Sequence, residues 1–141
     1  MPESDRPPVD EAVIRRAFEA WNSRDFEGFL DTAHPDVEYT PGIVVGQAEG
    51  ERVVYRGREE LRAFFDEWHS VWQAHLTLES VEPVGEDAIL ILGRMRMTGA
   101  KSGASAEQEV GWVGHVEDEQ LRRLASFPTH EAARAAVSKG V

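Results

Sequence analysis

Few side chains in this sequence are spaced for chemistry. The five histidines are His34, His69, His75, His115 and His130. None pairs at the H-x-x-x-H spacing that sets two imidazoles on one helical face around zinc, and no acidic cluster complements them. The chain has no cysteine, which excludes disulfides, thiol nucleophiles and thiolate metal sites together. A G-x-S-x-G nucleophile elbow is missing. Gly42, Gly46 and Gly50 do not lead from a strand into a helix, as a phosphate loop requires. Three catalytic candidates remain. His69, beside Trp68, can serve as a general acid or base, or simply be a solvated helix histidine. Tyr39 can donate its hydroxyl. Asp36 begins the same extended segment, where a turn role on local backbone is its alternative. His34 precedes Pro35 and can bond the last carbonyls of a helix. Nothing here calls for a metal or a cofactor.

Composition sets the frame for these residues. A chain of 141 residues fits one domain with one proper core. With 41% hydrophobic and 29% charged residues it reads as a globular protein, too apolar for disorder. No apolar run approaches the roughly 20 residues that span a bilayer. The opening MPESDRPPVD has no apolar core of a signal peptide, and residues 1–8 read as a flexible arm before a domain at 9–138. The net charge of -11 repels phosphate backbones, so nucleic acid and anionic membrane surfaces are not expected partners. Lack of cysteine is compatible with the reducing cytoplasm, the expected location.

The elements follow from periodicity. Asp10 can cap a helix bearing Val13, Ile14, Ala17, Phe18 and Trp21 at helical spacing. After Asn22-Ser23-Arg24, Asp25 caps a short helix with Phe26, Phe29, Leu30 and Ala33 on one face, ended by Pro35. An extended segment, 37–40, leads to a glycine-rich loop at 41–52, whose Ile43-Val44-Val45 tip is a short strand, a tucked tip or a lid. A short strand at 53–55 and Gly57 precede a third helix. There Leu61, Phe64, Phe65, Trp68, Val71 and Trp72 form one stripe. From His75 the period becomes two. Strands are expected at 75–83, 87–99, 105–117 and 120–127, with turns at 85–87 and 117–119 and a link at 101–103. Thr129 can cap a last helix. Helices followed by an antiparallel meander indicate an α+β fold.

In this order and spacing the segments resemble the SnoaL-like proteins of the NTF2-like superfamily. "VIRRAFEAWNSRDFEGFLDTAHPDVEYTPG" is similar to the family's opening, "VYRGREELRAFFDEW" to its strand, glycine and third helix, and "ILILGRMRMTG" and "SFPTHEAARAAV" to its long strand and closing helix. The family's usual Asp-Gly-Lys turn is Asp118-Glu119-Gln120 here. The resemblance implies a curved antiparallel sheet wrapped around three helices as a cone, with a short C-terminal helix. It also implies pairing of two copies through the outer sheet face. Members range from isomerases, cyclases, epoxide hydrolases and dehydratases to plain binding proteins, so fold alone assigns no reaction.

Strand parity then sorts the side chains. The arginines put Leu90, Leu92, Arg94 and Arg96, next to Val113, on the outer face as a mixed dimer patch. Met95, Met97 and Trp112 consequently face inward. Joined by Ala17, Trp21, Tyr39, Pro41, Phe65, Trp68 and Trp72, they make an expected ligand-binding set by their number, although residues at such spacing are more often plain core. Aligned on ketosteroid isomerase-like members, Ala17 takes the tyrosine position, Thr40 or Pro41 the base position, and Trp112 the acid position. All three roles are empty. Arg94-Met95-Arg96 likewise lacks the aspartate of the Asp-Arg-Asp set in limonene-type epoxide hydrolases. The expected function is binding of a small, largely apolar or aromatic molecule in an aromatic-lined cone, with acid–base chemistry unassigned. The alternative is a non-catalytic dimer whose cone its own side chains fill.

Overall fold

The computed structural model describes residues 9–41, 54–84, 88–99 and 105–138. The expected arm at 1–8, most of the 41–52 loop with its Ile43-Val44-Val45 tip, the 85–87 turn and the 101–103 link lie outside them. Helix α1 (Val9–Asn22) is followed by α2 (Phe26–Asp31), β1 (Ala33–Thr40), β2 (Tyr55–Arg56) and α3 (Gly57–Val71). The remainder is β3 (Trp72–Val84), β4 (Ala88–Gly99), β5 (Ser105–Glu117), β6 (Gln120–Phe127) and α4 (His130–Ser138). The fold is α+β, as the periodicity indicates. One curved sheet runs in the order β2-β1-β6-β5-β4-β3.

Expectation and structure differ at several element ends. The first helix begins at Val9, so Asp10 lies within its first turn instead of capping it. Asp25 does cap α2, its carboxylate accepting from the Gly28 N–H at 3.0 Å. That helix stops at Thr32, and Ala33 opens β1 instead of completing a helical face. Pro35 thus falls inside a strand. It sits where the β1–β6 register slips between Ala33 and Glu38, which tolerates a residue with no N–H. Trp72 is the first residue of β3, opposite Gly99, because pairing along the whole of β4 outcompetes one more helical turn.

The sheet is mixed, not wholly antiparallel. β1 and β6 run parallel, since the chain returns to the first strand only after α3 and the meander. The remaining pairings are antiparallel. The β5–β6 hairpin turns on Asp118 and Glu119, with φ of 54° and 62°. Positive φ at both central positions suits a two-residue hairpin turn and the strand twist, but strains side chains bearing a Cβ.

Both faces of the sheet carry buried apolar residues, the inner face under α1 and part of the outer face under α4. Inward, Ile89, Ile91, Met95 and Met97 pack with Val13, Ile14, Ala17 and Phe18 of α1 and with Trp112. Outward, Leu90, Leu92, Val113 and Phe127 pack under Ala133 and Ala136 of α4. The apolar half of the expected dimer patch is therefore covered by the chain's own last helix. Arg94 and Arg96 stay exposed and pair with Glu107 at 2.9 and 3.3 Å. Thr129 caps α4, accepting from the Ala132 N–H at 3.0 Å. Alanines let α4 lie close. A Cβ added to Gly111 would come within 2.5 Å of the Ala133 Cβ.

Two hydrogen-bond clamps fix the inner helices. Asn22, at the end of α1, exchanges two bonds with the Leu76 backbone of β3, both 2.8 Å, imitating a strand partner. The Arg58 guanidinium donates twice to the Ala33 carbonyl, at 3.0 and 2.8 Å, tying α3 to β1.

Two stability outcomes follow from this geometry. Gly111→Ala should cost roughly 1–3 kcal/mol by lifting α4 off the sheet, read by urea unfolding; an unchanged midpoint would contradict the close approach. Glu119→Gly, which restores the family-like turn residue, should stabilise by about 0.5–1 kcal/mol despite the added freedom of the unfolded chain. A lower melting temperature for that variant would refute the strained turn.

Candidate functional site

Amphipathic helices laid across a concave sheet must fill the space between with whatever rings they carry. Here that space is not completely filled. A cavity of about 70 Å³ lies between α1, α3 and the inner face of the sheet. Ala17, Phe18 and Trp21 of α1 form one side, and Leu61, Phe64 and Trp68 of α3 another. The sheet contributes Met95, Val110, Trp112 and Ser126, with Tyr39 from β1. Phe18 and Trp112 meet edge to face on the wall, 4.7 Å between centroids. Trp21 is the hub of the aromatic layer, 6.0 Å from Phe64, 5.4 Å from Phe65 and 6.4 Å from Trp68.

Six of the ten residues expected to line a site are on this wall: Ala17, Trp21, Tyr39, Trp68, Met95 and Trp112. Three others are not. Phe65 is buried behind the wall among Phe26, Phe29 and His69, because Phe64, one residue earlier on α3, turns into the cavity instead. Met97 is core beyond the cavity, packed with α1. Pro41 is buried just after β1 but off the wall. The Trp72 side chain lies outside what is described. The stripe of α3 marks both Phe64 and Phe65 as inward, so periodicity could not choose between them. Ser126 was legible only as a member of a strand, not of a site.

The polar groups of the wall are few. Thr32 Oγ1 donates to the Phe29 carbonyl at 2.6 Å. The Tyr39 hydroxyl is hydrogen-bonded with Ser126. Burial pushes the Tyr39 phenol up to about 12, against the opposing pull of Ser126 and with a further push from Tyr55. At neutral pH Tyr39 is therefore a hydrogen-bonding phenol, not a base. No Asp, Glu, His, Lys or Arg lines the cavity among the described residues.

The other catalytic candidates are elsewhere. His69 is half-buried, and its Nδ1 lies 2.8 Å from the Phe65 carbonyl. A carbonyl only accepts, so Nδ1 carries the proton and Nε2 of the neutral ring keeps its lone pair. The ring stacks on Phe65 and meets Trp21 at 4.5 Å, behind the wall. Asp36 is exposed on β1, away from the cavity, and its N–H donates to His34 Nδ1 at 2.9 Å. His34 is thus a strand residue and does not close a helix end. His34, Glu117 and Asp118 bring possible ligand atoms within 4.8 Å of one another. With Nδ1 accepting a backbone N–H, the neutral ring's proton is on Nε2, the atom facing both carboxylates at 3.6 and 3.9 Å. In that tautomer Nε2 turns an N–H, and no lone pair for a metal, toward the carboxylates.

A family model described as a SnoaL-like domain matches residues 14–124. The chain belongs to that family. No curated protein matches the sequence. Among solved structures, an NTF2-like protein of unknown function from Burkholderia pseudomallei is 23% identical with a TM-score of 0.75, over 89% of this chain and 95% of that one. A Mycobacterium tuberculosis protein in complex with estradiol-17beta-hemisuccinate is 20% identical with a TM-score of 0.72, over 84% and 92%. A Delta 5-3-ketosteroid isomerase from Mycobacterium sp. is 22% identical with a TM-score of 0.71, over 88% and 95%. At these identities the likeness is one of fold. This SnoaL-like chain shares the cone and, at Ala17 and Trp112, carries side chains on its wall that cannot exchange protons.

The raised Tyr39 pKa has a consequence for pH. The unfolded phenol ionises near 10 and the folded one near 12, so in that window only the unfolded chain has lost the proton. The contribution of this phenol to stability is constant below about pH 10 and falls as pH rises toward 12, by an amount on the order of 2 kcal/mol. Alkaline titration of tyrosinate absorbance in the native protein should show one phenol ionising near 12, absent from Tyr39→Phe. Ionisation of Tyr39 at its ordinary pKa would contradict the buried placement.

Proposed function

We propose that this protein binds a small, largely apolar, uncharged molecule within its cone. One observation carries the reading: the inner helices and sheet leave an unfilled cavity whose wall is aliphatic and aromatic, with no ionisable side chain but Tyr39 among the described residues. Such a wall favours a ligand by removing apolar surface from water and penalises any charge brought in without a partner. Size narrows the ligand further. An apolar cavity of about 150 Å³ takes up benzene, whereas this one measures about 70 Å³. A four-ring molecule of the kind bound by the M. tuberculosis neighbour would need the indoles to swing aside. A molecule of about one small ring needs much less. Binding without turnover fits the wall better than acid–base catalysis, because His69 is behind it and Asp36 outside it. The absence of cysteine fits action in the cytoplasm.

A second reading has its own support. Trp21, Trp68 and Trp112 occupy much of the cone, as in a non-catalytic protein, dimeric through its sheet, whose cone is filled from within. In that case a second copy would meet the charged strip of Arg94, Arg96 and Glu107, since α4 covers the apolar residues. One measurement separates the readings. Tryptophan fluorescence and melting temperature, followed against a panel of one-ring aromatic, terpenoid and alicyclic compounds, should respond to at least one of them. No response across the panel, at concentrations up to solubility, would leave the filled cone as the answer.

A further inference from the structure

Burial leaves three side-chain polar atoms with no partner among the described residues: Nε1 of Trp21, Nε1 of Trp68 and Nε2 of His69. The imidazole stands behind the cavity wall. Both indoles stand on it. Trp21 is only 8% exposed, so water at the protein surface does not reach its N–H. An indole N–H can only donate, and a buried donor without an acceptor is costly enough that native structures rarely leave one. The other polar groups of the wall are already engaged: Thr32 with the Phe29 carbonyl, Tyr39 with Ser126. Among the described residues no acceptor, neither these hydroxyl oxygens nor His69 Nε2, lies within hydrogen-bond reach of either indole N–H. No cationic side chain among the described residues lines the cavity to balance an anion, which favours a neutral acceptor.

We propose that Trp21 and Trp68 are the specificity-determining donors of the cone, and that its ligand is a neutral carbonyl compound of about one ring. The proposal rests on the reading of the cone as a small-molecule site and names the class of its ligand. The carbonyl oxygen has two lone pairs and takes the N–H groups of both cavity-lining indoles, whose ring centroids are 6.4 Å apart. The hydrocarbon part lies against Met95, Val110 and Leu76. Trp21 is held in this position by the clamp of the adjacent Asn22 on Leu76.

Cyclopentanone and methylenecyclopentane test this on the full chain, since they differ only in whether C=O or C=CH2 leaves the ring. A purely apolar wall would prefer the hydrocarbon by about tenfold or more, because burying an unpaired carbonyl is unfavourable. With both donors engaged, the ketone binds at least as tightly as the hydrocarbon. It also moves the indole N–H resonances of Trp21 and Trp68 downfield in 15N-labelled protein, and the hydrocarbon does not. Trp21→Phe and Trp68→Phe assign the two resonances; should either fail to fold, the affinity ratio on the native chain decides alone. If the hydrocarbon binds the tighter, or the ketone binds without moving either resonance, the donor role is overturned while the apolar site stands. If neither compound binds at any accessible concentration, the site itself falls, and the donor role with it.

Discussion

The structure depends on one constraint: a single sheet with apolar residues on both faces, which helices of very different bulk must keep from water. Its inner face meets α1 through Ile14 and Ile91, each with no exposed surface, and its outer face meets α4 through alanines. Alternate residues of β4 therefore belong to different layers, and a register slip of one would exchange them. On the outer side, small residues on α4 and Gly111 permit close contact and leave no gap. On the inner side, rings from α1 and α3 cannot interdigitate so closely. The cavity is the remainder of that packing, and the functional reading begins there.

Chemistry follows from which groups this packing exposes to the cavity. Titratable side chains are common in the chain but are directed outward, into pairs such as Arg94 with Glu107, where water screens them. What the wall retains is hydroxyls in hydrogen bonds and, at Trp21 and Trp68, indole N–H groups without a partner among the described residues. A site of this composition can desolvate and orient a molecule. Among the described residues its one titratable group, Tyr39, holds its proton up to about 12 and so does not take and return a proton at neutral pH.

The legibility of these features differed by the range of the interaction involved. The Asp25 and Thr129 caps, the α3 stripe and the inward parity of Met95 and Trp112 depend on neighbours within a few residues, and the sequence displays them. The family resemblance added the cone and the empty catalytic positions. Contacts between distant segments were not legible. Nothing local shows that β1 lies parallel to β6, or that α4 returns to cover Leu90, Leu92 and Val113, which therefore read as a free face. Phe64 and Phe65 are equally good members of one stripe, and only the position of the sheet decides which ring faces the cavity.

The sequence by itself determined the class of fold, most of its element order and the apolar character of the interior. Those properties are set by hydrophobic period, capping and turn chemistry, which act along the chain. Tertiary structure decided that the cone keeps an unfilled space, that His69 and Asp36 stand apart from it, and that two indole N–H groups meet no acceptor among the described residues. Each of these is a statement about what is not beside a residue. Spacing along a chain records what a side chain can do, but only the packed interior settles what it is left without.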